Sequence, residues 1–218
     1  MNQEDLAYFV GIICGDGYVS QKNFVIEIKD DRPDFLKNVY SPLIERLFSK
    51  RPRVVRDSDG QNTFRCYFWS KEASKLLKEW GIVSPKSFTV CAPLWIKNGN
   101  KIIKVNFLRG VMDTDGSIYE KKNRNITNYP TIALIVRSKG LAEDVYNIFI
   151  ELGFNVKMGV FSQRGKPMFM VRLYGFAQLK GYMDRIGFNH PNKVSKATSI
   201  LKSGIIRAGR STVDRYLR

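Results

Sequence analysis

The stretch Phe107-Leu108-Arg109-Gly110-Val111-Met112-Asp113-Thr114-Asp115-Gly116 decides how this sequence is read, because a second copy lies near the start as Phe9-Val10-Gly11-Ile12-Ile13-Cys14-Gly15-Asp16-Gly17. Each copy is an apolar run with a glycine inside, closing on a small residue, an aspartate and a glycine. Setting Asp16 on Asp115 places Gly11 on Gly110, Gly15 on Thr114 and Gly17 on Gly116. A motif repeated at this distance within 218 residues predicts two similar halves facing each other.

Each copy reads as a helix that is apolar nearly all round and therefore buried on most faces. Asn2 supplies an N-cap for the first, with Asp5 in a capping-box-like place. Gly11 and Gly15 stand one above the other and leave a flat strip where another backbone can come close. A glycine inside a helix costs about 1 kcal/mol relative to alanine, so the pair calls for a compensating contact. Gly17 is expected to end the helix as a C-cap.

Outward from the motifs the pattern repeats. In the first half, Tyr18–Val19 and Phe24–Lys29 form a hairpin, and Pro33 opens a helix with Phe35, Leu36, Val39, Leu43, Ile44 and Leu47 on its apolar side. Arg53–Arg56 and Thr63–Trp69 flank a Ser58-Asp59-Gly60 turn, and Glu72–Trp80 is helical. A connector over about 84–100 contains Pro85, Pro93 and a Lys97–Asn100 turn. The second half then gives a helix over Val105–Thr114, a hairpin of Ser117–Lys122 with Thr131–Arg137, and a helix over Leu141–Leu152. Strands Phe154–Ser162 and Met168–Tyr174 about Arg164-Gly165-Lys166 follow, then a helix over Phe176–Ile186. The ends match as well: Gly81-Ile82-Val83-Ser84-Pro85-Lys86 against Gly187-Phe188-Asn189-His190-Pro191-Asn192-Lys193. The expected units are residues 1–98 and residues 99–218, the latter with a basic tail.

Composition narrows the partner. Thirty-six Lys and Arg against 20 Asp and Glu give a net charge of +16, which favours a polyanion, nucleic acid being the commonest. The longest apolar run, Leu6–Cys14, is too short to span a bilayer and follows acidic Glu4 and Asp5, so no targeting signal or membrane association is expected. Cys14, Cys66 and Cys91 are odd in number without a Cys-x-x-Cys spacing, which points to an intracellular, reducing compartment, cytoplasm or organelle. His190 is the only histidine, so a zinc finger or a His-based acid–base centre has almost no material, and a metal site must use oxygen ligands. His190 itself reads as a turn residue, and Trp80 and Trp95 as packing residues.

With both motifs and their hairpins in place, the sequence resembles the LAGLIDADG homing endonucleases of the single-chain, two-motif type. The resemblance runs from Leu6 to about Lys196, and Pro93-Leu94-Trp95-Ile96 looks like that family's linker. It implies an α+β fold of two pseudo-symmetric αββαββα halves, with the motif helices packed at the interface and two antiparallel β-saddles over double-stranded DNA. It also implies a monomer whose halves replace a homodimer, encoded by a mobile intron, an intein or a free-standing element. The family's earlier acidic position holds Cys14 in one copy and Asp113 in the other. Arg109 interrupts an apolar helix and is expected to point away from the seam.

Packing the motif helices in parallel, with Gly11 and Gly15 against Gly110 and Thr114, brings Asp16 and Asp115 together at two helix C-termini. Like charges meeting at the negative end of two macrodipoles repel. A divalent cation resolves the conflict, and oxygen ligands with retained water and phosphate suit Mg²⁺, with Mn²⁺ or Ca²⁺ able to substitute in binding. The expected metal set is Asp16 and Asp115 with the preceding Gly15 and Thr114, and the chemistry is metal-assisted phosphodiester hydrolysis; the resemblance implies a staggered double-strand break in a long target. A lone Asp-Gly would be an ordinary helix stop; duplication at matched positions separates the two readings. Lys86 and Lys193 are the candidate basic residues near the phosphates, as the family places a lysine after the last helix of each half. Asp30 and Ser138, at the ends of matched strands, correspond to the family's water-organising polar position. For DNA contact the strand faces offer Arg65, Tyr67 and Trp69 in one half and Arg172 and Tyr174 in the other. Arg53, Arg56, Lys121, Lys122, Arg124, Arg137, Lys157 and Arg164 add charge on hairpins and tips. Two other classes fit the same residues: a cleavage-inactive DNA-binding regulator, and an RNA maturase assisting intron splicing.

Overall fold

Helix α1 (Gln3–Cys14) begins where the Asn2 side chain accepts the amides of Glu4 and Asp5, and every residue from Ala7 to Cys14 is buried. A hairpin follows, β1 (Tyr18–Val19) and β2 (Val25–Asp30), then one continuous helical stretch. That stretch runs through α2 (Pro33–Phe35), a π turn (Leu36–Tyr40) and α3 (Ser41–Phe48), with Pro33 and Pro42 early in their helices, where proline's missing N–H does least harm. A second hairpin, β3 (Arg53–Arg56) and β4 (Phe64–Trp69), leads to α4 (Lys71–Glu79), capped by Ser70. The connector carries a short helix, α5 (Leu94–Lys97). The order then recurs: α6 (Lys101–Thr114), β5 (Gly116–Asn123), β6 (Ile126–Val136), α7 (Lys139–Glu151), β7 (Val156–Gln163), β8 (Lys166–Tyr174) and α8 (Phe176–Arg185), with α9 (Pro191–Ala208) after it. This is a computed structural model, and it describes residues 1–57, 62–123 and 126–208.

The two sheets have the same strand order, β1-β2-β4-β3 and β5-β6-β8-β7, with antiparallel neighbours throughout. Alternation along the central strands decides which face is dry. On β4, Cys66 and Phe68 are buried while Trp69 is exposed; on β8, Val171 and Leu173 are buried. Beneath the first sheet Phe9 meets Phe48 edge-on at 5.2 Å and lies 6.4 Å from Phe68. Beneath the second, Phe149 and Tyr182 pack with Phe154, and Tyr182 lies 4.7 Å from Phe188. Each such ring, fully buried, stabilises the fold by about 1.5–3 kcal/mol. Trp80, at the end of α4, and Trp95, in α5, pack against each other at 5.5 Å.

The seam between α1 and α6 is made by glycine. A Cβ on Gly11 would overlap the carbonyl oxygen of Phe107 and stand 3.0 Å from the amide nitrogen of Val111. A Cβ on Gly110 would overlap the carbonyl oxygen of Tyr8 and stand 2.8 Å from the amide nitrogen of Ile12. The two helices therefore touch backbone to backbone, the compensation that two glycines in helix interiors require. Arg109 turns outward, donating to the Ile186 carbonyl at 2.7 Å and to Asn106 at 2.8 Å.

Three expectations from sequence need correction. Gly17 is not the C-cap: α1 ends at Cys14 with Gly15 as its cap at φ −69°, and Gly17 is needed because a Cβ there would lie 2.6 Å from the Ile13 Cα. Helix α6 starts a turn before Val105, because Asn100 leaves the expected turn to accept the Ile103 amide at 3.1 Å as N-cap. Helix α9 was not foreseen, although Pro191 at its start and the spacing of Val194, Ala197, Ile200 and Leu201 mark a helix with one apolar side. The Ser58-Asp59-Gly60 turn and Arg124 lie outside the described residues.

Candidate active site at the helix seam

Close helix contact delivers two carboxyl groups to one place. Asp16 follows the end of α1 and Asp115 caps α6, and their side chains are within hydrogen-bonding reach of each other. Asp115 is pushed up to about 7, first by burial and then by the charge of Asp16. Asp16 is also raised by loss of hydration, against the pull of Lys86 and Lys193, although its side chain keeps an accessible edge. The surroundings crowd that carboxylate enough to dry it on most sides while leaving one open. Gly15 is required for the approach, since a Cβ there would overlap Thr114 Oγ1.

Each carboxylate stands beside a lysine from the far end of its own half. Lys86 Nζ donates to the carbonyls of Cys14 at 3.1 Å and Gly15 at 2.5 Å. Lys193 Nζ donates to the carbonyls of Met112, Asp113 and Thr114 at 2.8, 2.7 and 2.9 Å. An ammonium at each helix C-terminus offsets the negative end of its dipole and satisfies carbonyls that have no intrahelical partner. Burial lowers both lysine pKa values, while Asp16 and Asp115 pull them back up. The two lysines are thus matched parts of the seam. The carbonyls of Gly15 and Thr114, expected in the metal set, are already engaged by the lysines, which leaves one lone pair on each.

A second carboxylate network lies behind the pair. Asp113, fully buried on α6, accepts the hydroxyl of Tyr8 on α1 at 2.6 Å and the amides of Asn189 and His190 at 3.1 Å. Burial raises its pKa, opposed by these hydrogen bonds. Tyr8 was missed in the sequence, where it is one aromatic in an apolar run; its match in the second copy is Phe107, and that difference was the available signal.

Two clefts open on either side of the carboxyl pair. One, of about 540 Å³, is lined by Asp16, Asp30, Asp31, His190, Asn192 and Lys193 among others. The other, of about 230 Å³, includes Asp16, Lys86, Asp115, Arg137, Ser138 and Met168. Asp30 ends β2, accepts the Arg32 amide at 2.7 Å and faces His190 Nε2 at 3.3 Å. His190 is therefore more than a turn residue: it is buried, packs at a tilt against Phe35 at 4.8 Å and ties the end of the second half to the first sheet. Asp30, Asp31 and His190 could together offer three ligand atoms to a cation. Ser138 is committed differently, capping α7 through the Leu141 amide and donating to the Val90 carbonyl at 2.6 Å.

The exposed sheet faces repeat one arrangement. Arg65 lies over Tyr67 at 5.4 Å on β4, and Arg172 lies over Tyr174 at 5.2 Å on β8. In neither arginine does Nε have a hydrogen-bond partner among the described residues. Arg53 covers Trp69 at 5.9 Å, and Lys121 covers Tyr174 at 4.4 Å from the hairpin strand β5. Arg53, Arg56, Lys122, Arg137, Lys157 and Arg164 are exposed.

Residues 103–187 match the family described as LAGLIDADG-like domain. Over 92% of its length the chain is 27% identical to a replication factor C small subunit of Thermococcus kodakarensis, covering 21% of that protein. It is 33% identical, again over 92% of its length, to a replicative DNA helicase DnaB of Synechocystis sp., covering 24% of it. It thus spans a quarter or less of these relatives' own length. In fold it is similar to I-DmoI in its crystal structure with DNA and Mn, with a TM-score of 0.61, 16% identity and coverage of 85% of this chain and 98% of that one. It is also similar to the N-terminal LAGLIDADG domain of DUF199/WhiA, with a TM-score of 0.55, 13% identity and coverage of 85% and 83%.

Proposed function

We propose that this chain, whose residues 103–187 match the LAGLIDADG-like domain family, is a member of that family and a site-specific DNA endonuclease that hydrolyses one phosphodiester in each strand, with a divalent cation held by Asp16 and Asp115. One observation carries this reading: two carboxyl groups from duplicated motifs meet at the ends of two helices. A structural helix stop has no use for a pair of acids crowded together. A hard cation fits the donors present, two carboxylates plus the spare lone pairs of the Gly15 and Thr114 carbonyls, and Mg²⁺ suits such oxygen donors when water and phosphate complete its shell. When bound, the cation would polarise the phosphate and lower the pKa of a coordinated water.

The chain's own residues do the rest. Asp16 and Asp115 present one ligand set to both strands. Lys86 and Lys193 fix the two helix ends and stabilise charge developing on the phosphates. Asp30 and Ser138 line the clefts where water would be ordered. The arginine–aromatic faces of both sheets grip the duplex, and the charge of +16 supplies the salt-sensitive part of the affinity. Residues 1–98 and 99–218 each serve one half of the target within a single monomer. The chain corresponds to a minor part of replication proteins, which fits an element inserted in a host gene, of intein or intron origin. Free thiols at Cys14, Cys66 and Cys91 fit an intracellular, reducing location.

A second reading has one observation in its favour, the similarity to the WhiA domain fold: a DNA-binding regulator without cleavage. Incubating the protein with plasmids bearing candidate insertion sites, with Mg²⁺ and with EDTA, separates the two. Linearisation that needs the metal supports the nuclease. Specific binding of the same sites without cleavage in Mg²⁺ or Mn²⁺ would replace it with the regulator.

A further inference from the structure

We propose that Asp113 is a positioning residue: its buried carboxylate, tied to Tyr8 of the first motif helix, seats the Asn189–Lys193 turn so that Lys193 stands against the end of α6, a support that the other half lacks. This rests on the nuclease reading for its consequence, though not for its geometry.

The connections form a closed ring. From α6 the Asp113 side chain reaches the amides of Asn189 and His190, both at 3.1 Å. Those residues lead directly into α9, whose first turn carries Lys193, and Lys193 returns to α6 through the carbonyls of Met112, Asp113 and Thr114. Asp115 is the next residue along. One carboxylate thus fixes the lysine that flanks the reacting pair, and the Tyr8 hydroxyl at 2.6 Å fixes that carboxylate across the seam.

The matched positions in the other half are built without it. Asp113 aligns with Cys14, and Tyr8 with Phe107, both buried and neither able to play these parts. The turn bearing Lys86 is held from another direction. Ser84 Oγ accepts the Val19 amide at 3.0 Å, the Ser84 amide donates to the Val19 carbonyl at 3.2 Å, and Gln21 donates to the Ser84 carbonyl at 2.8 Å. Lys86 is therefore anchored to its own sheet, and Lys193 to the motif helix and, through Tyr8, to the opposite half. Loosening Asp113 should disturb one lysine and leave the other in place. A misplacement of about 1 Å at a reacting centre costs on the order of a hundredfold in rate, so the disturbance should be visible as unequal cutting of the two strands.

The test uses the full chain. A double variant, Tyr8→Phe with Asp113→Cys, installs the pair that the other half already uses; Tyr8→Phe alone is the milder companion should the double variant fail to fold. Amide hydrogen exchange is read on residues 187–194 and 81–87, and cleavage on a cognate duplex with a different label on each strand. Exchange over 187–194 is expected to rise by about tenfold or more in the double variant, with 81–87 unchanged. One strand should be cut at least about tenfold more slowly, with the other within about twofold of wild type, so that nicked product accumulates. Unchanged exchange overturns the proposal, as does equal slowing of both strands or no slowing of either. Should wild type not cut any DNA in Mg²⁺, the nuclease reading fails, and exchange alone decides whether Asp113 holds the turn.

Discussion

The two sides of the seam are alike where backbones touch and unlike where the seam is braced. Gly11 and Gly110 each leave no room for a Cβ against the opposite helix, and Lys86 and Lys193 each bind the carbonyls at the end of a motif helix. Behind them, one side has Tyr8 on Asp113 and Asp30 on His190, while the other has Phe107, Cys14, Ser138 and Ser84 in the matching places. The halves match where the seam takes a glycine, an aspartate and a lysine from each, and differ where a contact braces one lysine. Distance explains this: a Cβ at the glycine contact shifts both carboxylates at once, whereas a brace acts on one lysine.

The largest effect should come from breaking the symmetric part. Gly11→Val or Gly110→Val forces a β-branched side chain into the opposite backbone, and a loss of about 3 kcal/mol or more is expected, enough to unfold the chain or part the helices. Thermal melting reads it, and a variant melting like wild type would contradict the seam. Next, Asp16→Asn or Asp115→Asn should remove double-strand cleavage by a factor on the order of 10³ or more while DNA affinity, measured by mobility shift, persists. Cleavage that survives either change would break the assignment of the centre. Lys86→Met and Lys193→Met should each slow cleavage by about 10–100-fold, and a strand-resolved assay will show whether the loss is unequal.

A smaller effect concerns pH. Asp115 in the folded chain titrates at about 7 against 3.8 for a free carboxyl, so between these values the folded state holds a proton that the unfolded state has lost. Metal-free protein should therefore lose stability as pH rises from about 4 through about 7. Asp115→Asn should flatten that decline and raise stability at pH 8 by about 1–3 kcal/mol, and Mg²⁺ should do the same for wild type. Denaturant titrations at pH 5 and pH 8 measure it; an unchanged slope in the variant would mean that the pair carries no strain. Smallest of all, Arg65→Ala and Arg172→Ala should each weaken binding by about 1–3 kcal/mol and relax preference at one target position apiece, as the repeated arginine–tyrosine arrangement implies. Equal relaxation at both positions from either change would break that correspondence.

Much of this was legible. The two glycine-bearing runs announced paired helices, and alternation at Arg65, Tyr67 and Trp69 announced the exposed face, because burial periodicity is a local property written into neighbouring residues. Lys86 and Lys193 could be matched by their place after Pro85 and Pro191, but not their binding of helix-end carbonyls. Asp30 was read at the correct strand end, whereas its partnership with His190 spans 160 positions and has no local signature. Ser138 was legible as polar and conveyed nothing of its hold on Val90.

By itself, then, the sequence determined the duplication, the pairing of one acid per copy and the basic character of the strand faces. Only the tertiary structure decided that Tyr8 would meet Asp113 across the seam, that both lysines would turn inward, and that the two clefts would differ in charge and size. Periodicity constrains which side of a helix or strand is dry, and so survives in one dimension. Which buried polar group answers which is fixed when distant segments are brought within about 3 Å of each other, because only there does an unpaired donor or acceptor carry its cost.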